Sequence, residues 1–400
     1  MSELLSVADA DQLIRRQMLS FGSERVAIDK AMGRVLRQTV RAERDQPPFD
    51  RVMMDGIALA EAGAAARRVA LVGRQMAGMA EQSLDLPSGC LEVTTGAMLP
   101  RGCDRVIPVE QTRREGDIYV LAEDCQSSPG QFVHRRGSDC RERDLLLEPG
   151  VRLRAPELAV LAANGVAEVE VASIPSVAII ATGDELADVD QSMAEGQIRR
   201  SNDRALAAAL ASRGFDDLLL TRVADDLAAT TRTLDGLLAS RQVLVLSGGV
   251  SVGQRDYVPE ALRALGVRQV LHRIAQRPGK PMWFGLGPQG QVVFGLPGNP
   301  VSALVCAFRY LLPALQQAIG MQTAEAVTVC LQSEAPTHPK LTCFVPVQVH
   351  HDATGRMMAQ PLPTRTSGDF SSLPRTAGFV QLAPASCDAA AGSMASFHAW

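Results

Sequence analysis

Four hundred residues exceed what a single core organises, and 46% apolar against 21% charged residues is the balance of a folded chain in water, so two to four domains are expected. A formal net charge of -4 argues against nucleic acid as a main partner, because neutralising phosphates takes a basic face, and no apolar run is long enough to suggest a membrane span. The opening MSELLSVADADQLIRR has acids where a secretory leader would have a basic start and an apolar core, so a cytoplasmic location is expected. Cys90, Cys103, Cys125, Cys140, Cys306, Cys330, Cys343 and Cys387 are scattered without C-x-x-C pairs and read as reduced, structural thiols.

In chain order, helical spacing of apolar residues in 8–20 (Leu13, Met18, Leu19) and again in 24–40 (Val26, Ile28, Val35, Leu36) predicts a helical opening, broken at Pro47-Pro48. From 56 to 148, short runs of Val, Leu and Gly punctuated by Gly102, Pro108, Gly116 and Pro129 predict a mostly β module that ends near 137–139. ELAVLAANG after Pro156 predicts a helix closed by Gly165, with the strand VAEVEV following and a boundary at Pro175. Between 176 and 316 the strands VAIIA, DDLLLTRV, VLVL and VVFGL alternate with helices near 202–213, 226–239, 258–265 and 301–316, which implies a parallel sheet covered by helices. From about 325, VTVCLQ, CFVPVQVHH, GRMMAQPL and GFVQLAP predict a small β domain.

Ligands of a parallel α/β sheet sit beyond the carboxyl ends of its strands, so the loops there hold the candidate chemistry. Thr182-Gly183-Asp184-Glu185-Leu186 offers a turn with two acids able to hold a metal or orient a ligand, although exposed acids at a turn look the same. The stretch from Ser247, Gly248 and Gly249 to Ser251 and Gly253 supplies free backbone N–H groups and hydroxyls suited to a phosphate, with Asp256 placed to hold a divalent ion. No GxGxxG fingerprint accompanies it, which weighs against a nicotinamide or flavin role. Arg277-Pro278-Gly279-Lys280-Pro281 adds two cations for an oxyanion. In Leu296-Pro297-Gly298-Asn299-Pro300, Asn299 reads as an N-cap and Pro300 as the first helical residue, so a helix N-terminus is aimed out of the sheet.

Taken together, PPFDRVMMDG, TGAMLPRGCDRVIPVE, GSD, PSVAIIATGDEL, GQIRRSN, SGGVSVGQRDY, RPGKP and LPGNPVSA resemble, in order from about 48 to 315, the signatures of the molybdopterin molybdenumtransferase (MoeA) family, and also those of the E domain of gephyrin. The resemblance implies a multidomain α/β plus β fold in four parts. These are a helical and extended arm (1–47 with 140–175), an inserted β-rich domain (48–139), a molybdopterin-binding parallel α/β domain (176–324) and a small β-barrel-like C-terminal domain (325–400). It further implies a homodimer whose sites lie between the α/β domain of one subunit and the inserted domain of the other. The implied reaction inserts molybdate into adenylylated molybdopterin with release of AMP, assisted by Mg2+. Its partners would be a molybdopterin adenylyltransferase and molybdoenzyme apo-proteins or their chaperones, with no nucleic acid and no membrane.

By that resemblance Asp55, Asp139 and Lys280 are the catalytic residues, with Thr95 beside the first two. Glu185, Asp226 and Asp256 are the metal ligands. Thr95, Ser247, Gly248, Gly249, Ser251, Gly253, Arg277, Gly279, Pro297, Gly298, Asn299 and Pro300 bind the substrate. The chain departs from the family pattern at Arg51-Val52-Met53, at Arg199-Arg200 and at Arg277, where lysine is frequent, and a guanidinium does not hold ligands as an ammonium does. A divergent non-catalytic carrier or scaffold is the alternative reading. An adenylyltransferase or a nicotinamide-nucleotide amidase on the same α/β module would carry a TGG-type loop and lack the inserted domain.

Overall fold

The runs VAIIAT (Val177–Thr182) and VLVLS (Val243–Ser247) are buried at every position, so their side chains are covered on both faces, the condition of an inner strand sandwiched between helices. The computed structural model describes residues 4–249, 257–322 and 326–400. Within it these runs are inner strands of a six-stranded sheet ordered Leu218–Val223, Val177–Thr182, Val243–Ser247, Val292–Leu296, Trp283–Leu286, Arg268–His272. Alternate residues serve opposite cores. Val177 and Ile179 pack with Leu206, Leu210, Val301 and Val305, whereas Ala178 and Ile180 pack with Leu234, Leu237, Ala261 and Leu262.

The four strands read from the alternation are parallel to one another as expected, and the sheet adds two further strands at one edge. Neighbours from Leu218–Val223 to Val292–Leu296 are parallel, but Trp283–Leu286 and Arg268–His272 pair antiparallel. A hairpin, not a crossover helix, joins these last strands, so no helical periodicity announces them. Its long connection, 273–282, carries Arg277 and Lys280 away from the sheet. The last helix also differs, since Pro300–Cys306 and Leu312–Ala318 are joined through a π-helical turn, Ala307–Leu311.

The opening is helical only in part. Val7–Gln17 starts at Ser6, whose hydroxyl accepts from the Asp9 N–H, and buries Val7, Ala10 and Ile14 against the first core. The second expected helix does not form. Ser23–Ala27 pairs antiparallel with Glu168–Ala172, Ile28–Lys30 is a 3-10 turn, and Val40–Arg41 pairs with Leu145–Leu147. Partners more than 100 residues away outweigh the local spacing, and Gly33 at φ +78° breaks a helix there anyway.

The β module holds a six-stranded sheet ordered Arg105–Pro108, Gly56–Leu59, Gly89–Val93, Arg68–Gln75, Ile118–Leu121, Thr112–Glu115. Beside it the short pair Arg51–Val52 and Val133–His134 sets Arg51 directly opposite His134. At the C-terminus Thr342–His351, Met357–Pro361, Val327–Leu331, Met394–Ala399 and Gly378–Leu382 follow one another, and the last pairs back onto the first to close a barrel. Gln276–Arg277 joins this barrel beside Thr342 and Cys343, so the cationic loop is anchored to both domains. No helix among the described residues is long and apolar enough to cross a membrane.

Candidate functional site

Parallel register brings Ala181 opposite Ser247 and Ser247 opposite Leu296, so the chain leaves three adjacent strands at one level and the loops after them converge. They enclose a cleft of about 450 Å³. Gly183 and Glu185 form one wall, Ser247, Gly248 and Gly249 the floor, and Pro297, Gly298, Asn299 and Pro300 the far side. Gly248 (φ +96°) and Gly249 (φ +67°) fold tightly over Thr182, and a Cβ on Gly248 would stand 2.8 Å from Thr182 Oγ1. Only glycine allows that path, which leaves backbone rather than side chain facing the cleft. The Thr182 hydroxyl beneath is buried without a partner among the described residues.

Asn202 locks this floor. Its Nδ2 donates to Ser247 Oγ at 2.9 Å and to the Gly298 carbonyl at 2.7 Å, tying two of the loops together. Asn299 stands at the N-cap position, as expected, but makes no side-chain cap bond; its Nδ2 donates instead to Ser367 Oγ at 2.9 Å. Arg199 and Arg200, the departures from the family pattern, act within the loop that forms the wall. Arg200 lies 8% exposed and bridges Asp188 at 2.8 Å and the fully buried Asp203 through Nε at 3.0 Å, while Arg199 donates to the carbonyls of Asp188 and Gln191.

Arg277 and Lys280 face a second cavity of about 440 Å³ between the α/β domain and the barrel, and Pro281 and Asn299 border both spaces. Gly279 lies in its lining, where a Cβ would stand 2.6 Å from Cys306 Sγ. The barrel adds Thr337, Arg365, Thr366 and Ser367, so three cations and several hydroxyls surround the space. Sequence reasoning missed Arg365, although the hydroxyl-rich run Thr364-Arg365-Thr366-Ser367 is the signal that marks it. Cys306 is enclosed nearby, and burial pushes its thiol up to about 12.

The acids divide into two groups. Glu185 and Asp225 line the strand-end cleft, whereas the neighbouring Asp226 caps the helix Leu227–Ser240 by accepting from the Ala229 N–H at 2.7 Å. Ser251, Gly253 and Asp256 lie outside the described residues, and among the described residues no group of three or more potential metal ligands assembles. Asp55, Thr95 and Asp139 line neither cavity of their own chain. Asp55 accepts from both the N–H and the hydroxyl of Thr95, each at 2.7 Å, and these bonds hold its carboxyl below the ordinary carboxylate range. Asp139 meets His134 Nε2 at 2.7 Å.

Comparison with known proteins agrees across the chain. Residues 5–165 match the MoeA N-terminal region (domain I and II), 178–317 a probable molybdopterin binding domain, and 328–400 the MoeA C-terminal region (domain IV). A molybdopterin molybdenumtransferase of Synechocystis is 39% identical over 400 residues, covering 99% of this chain and all of that one. A second, from Nostoc, is 34% identical over 79% of this chain and 74% of its own. A molybdopterin biosynthesis MoeA protein of Pyrococcus horikoshii superimposes with a TM-score of 0.83 at 26% identity over the whole of both chains.

Proposed function

Because the chain belongs to the molybdopterin molybdenumtransferase (MoeA) family and so serves molybdenum-cofactor biosynthesis, we propose that it inserts molybdate into adenylylated molybdopterin and releases AMP. The observation that carries this reading is the adjacency of two complementary spaces. A cleft floored by glycines, which keep side chains out of it, suits phosphate oxygens, and a cavity bordered by Arg277, Lys280 and Arg365 suits a tetrahedral dianion. Substrate phosphates and molybdate would meet along their shared edge at Pro281 and Asn299.

Magnesium is held by one or two carboxylates together with substrate phosphate oxygens and water, and Glu185 with Asp225 on one cleft wall fits that donor set. The ion, when bound, neutralises charge on the phosphate oxygens. Asp226, engaged as a helix cap, is assigned to holding the wall, and Asp256 remains the third proposed ligand. The chain's own groups orient the rest: with the Gly248 N–H given to the Leu296 carbonyl at 3.1 Å, the backbone at Gly249 faces the phosphate, and Lys280 and Arg277 hold the oxyanion.

Asp55, Thr95 and Asp139 are proposed to complete the site of a second subunit. Their absence from their own chain's cavities supports this, as do Met53 and Met54 beside Asp55, 49% and 38% exposed, an apolar pair suited to cover by a partner. With its carboxyl held ionised by Thr95, Asp55 serves as an acceptor or base and not as an acid. The direct test supplies adenylylated molybdopterin, magnesium and molybdate, then follows AMP release and reconstitution of a molybdenum-free apo-enzyme, the proposed recipient. AMP release no faster than the uncatalysed rate would instead favour a carrier or scaffold.

A further inference from the structure

We infer that His134 is a positioning residue for Asp139, locked by Arg51 in one neutral tautomer; this rests on the proposed role of Asp139 in the composite site. Antiparallel pairing of Arg51–Val52 with Val133–His134 sets Arg51 and His134 side by side. Arg51 Nη2 lies 2.9 Å from His134 Nδ1, and His134 Nε2 lies 2.7 Å from Asp139 Oδ1. A guanidinium has only N–H groups to offer and is never deprotonated in a protein, so Nδ1 must be the acceptor. The single ring proton of the neutral imidazole then sits on Nε2 and is donated to the Asp139 carboxylate.

The consequence is directional. Asp139 is 53% exposed on a loop, where a carboxylate rotates freely unless tethered. Its backbone N–H is fixed to the Gln46 carbonyl at 2.9 Å, and His134 fixes one side-chain oxygen, so the carboxylate is held in a defined orientation with Oδ1 engaged. Arg51 thereby acts at one remove. Its place in the sequence, just before Val52-Met53-Met54-Asp55, is one of the departures from the family pattern, and the structure gives that departure a task.

Two readouts separate this inference from the function it rests on. Nitrogen-15 spectra of histidine-labelled protein, without any substrate, are expected to show His134 with a bare Nδ1 and a protonated Nε2, and Arg51→Met is expected to yield a mixture of tautomers. A protonated Nδ1 in the wild type overturns the proposal outright. In kinetics, His134→Leu should lower kcat by roughly 10- to 100-fold, the span carried by one hydrogen bond to a charged group, with KM nearly unchanged. His134→Gln, whose amide both accepts and donates, should recover most of the rate. A wild-type rate for His134→Leu beside an inactive Asp139→Ala overturns the positioning role alone. Wild-type rates for both variants overturn the proposed site reading together with it.

Discussion

The α/β cleft and the acid face of the β module solve the placement of functional groups in opposite ways. In the cleft, backbone does the work: Gly248 and Gly249 take paths closed to other residues, and Asn202 staples their loop to the next one. On the β module every acid near the expected reacting centre is held by side chains or by a local turn. Asp50 accepts from Arg135 at 2.6 Å and from the Arg136 N–H at 2.9 Å, and Asp55 from Thr95, while Arg136 also reaches Asp45 of the arm at 2.8 Å. A buried parallel sheet positions its strand ends to within the tolerance of its packing, whereas an exposed loop must have each carboxylate tethered individually. The first region should therefore respond to substitution through stability, the second through orientation and charge.

The largest expected effect breaks the scaffold of the cleft wall. Arg200→Met leaves Asp203 buried without its guanidinium, and unpairing a buried charge costs about 3–5 kcal/mol, so denaturant unfolding should show a loss of that order. A loss below about 1 kcal/mol, the scale of a surface ion pair, would show that the wall does not depend on this clamp. Lys280→Ala should behave differently, because the residue lies on an exposed loop rather than in a core. Molybdate or phosphate binding by calorimetry should weaken by about 1.5–3 kcal/mol while Tm stays unchanged. Unchanged affinity at equal salt would remove Lys280 from the oxyanion site.

The smallest effect concerns the opposite region. The Asp55 carboxyl is depressed in the folded protein by the Thr95 N–H first and the Thr95 hydroxyl second. A group of this kind contributes stability above its unfolded value, and that contribution is lost as pH falls through the lower folded value. Carbon-13 titration of Asp55 should thus place its midpoint below 3.8, and Thr95→Val, which keeps the N–H but deletes the hydroxyl, should move it part of the way back. An unmoved midpoint would assign the whole depression to the backbone.

How much of this was legible in the sequence differs between the same two regions. The continuous apolar runs VAIIAT and VLVLS, each followed by glycine, expose both the inner strands and the cleft floor, because burial on two faces and a turn that excludes side chains leave local marks. The antiparallel edge carried no such mark, and neither did the strand Ser23–Ala27, whose partner Glu168–Ala172 lies far along the chain. The barrel's Arg365 enters the cationic cavity only because Gln276–Arg277 joins the barrel. Asn299 was legible as an N-cap by type, yet its amide is drawn to Ser367 of the distant barrel. On the β module, the link from Arg51 to His134 spans 83 residues and shows itself only in strand register.

The central claim is that the two regions meet across subunits, each supplying half of one site. Asp55→Ala and Glu185→Ala should each be nearly inactive as homodimers. Co-expressed or refolded together, they form mixed dimers in which one site carries both substitutions and the other neither. With random exchange about half the dimers are mixed and one of their two sites is whole, so roughly a quarter of wild-type AMP release should return. AMP release that stays at the level of the separate variants, with mixed dimers shown to form, would place both acids in one chain's site and contradict the account.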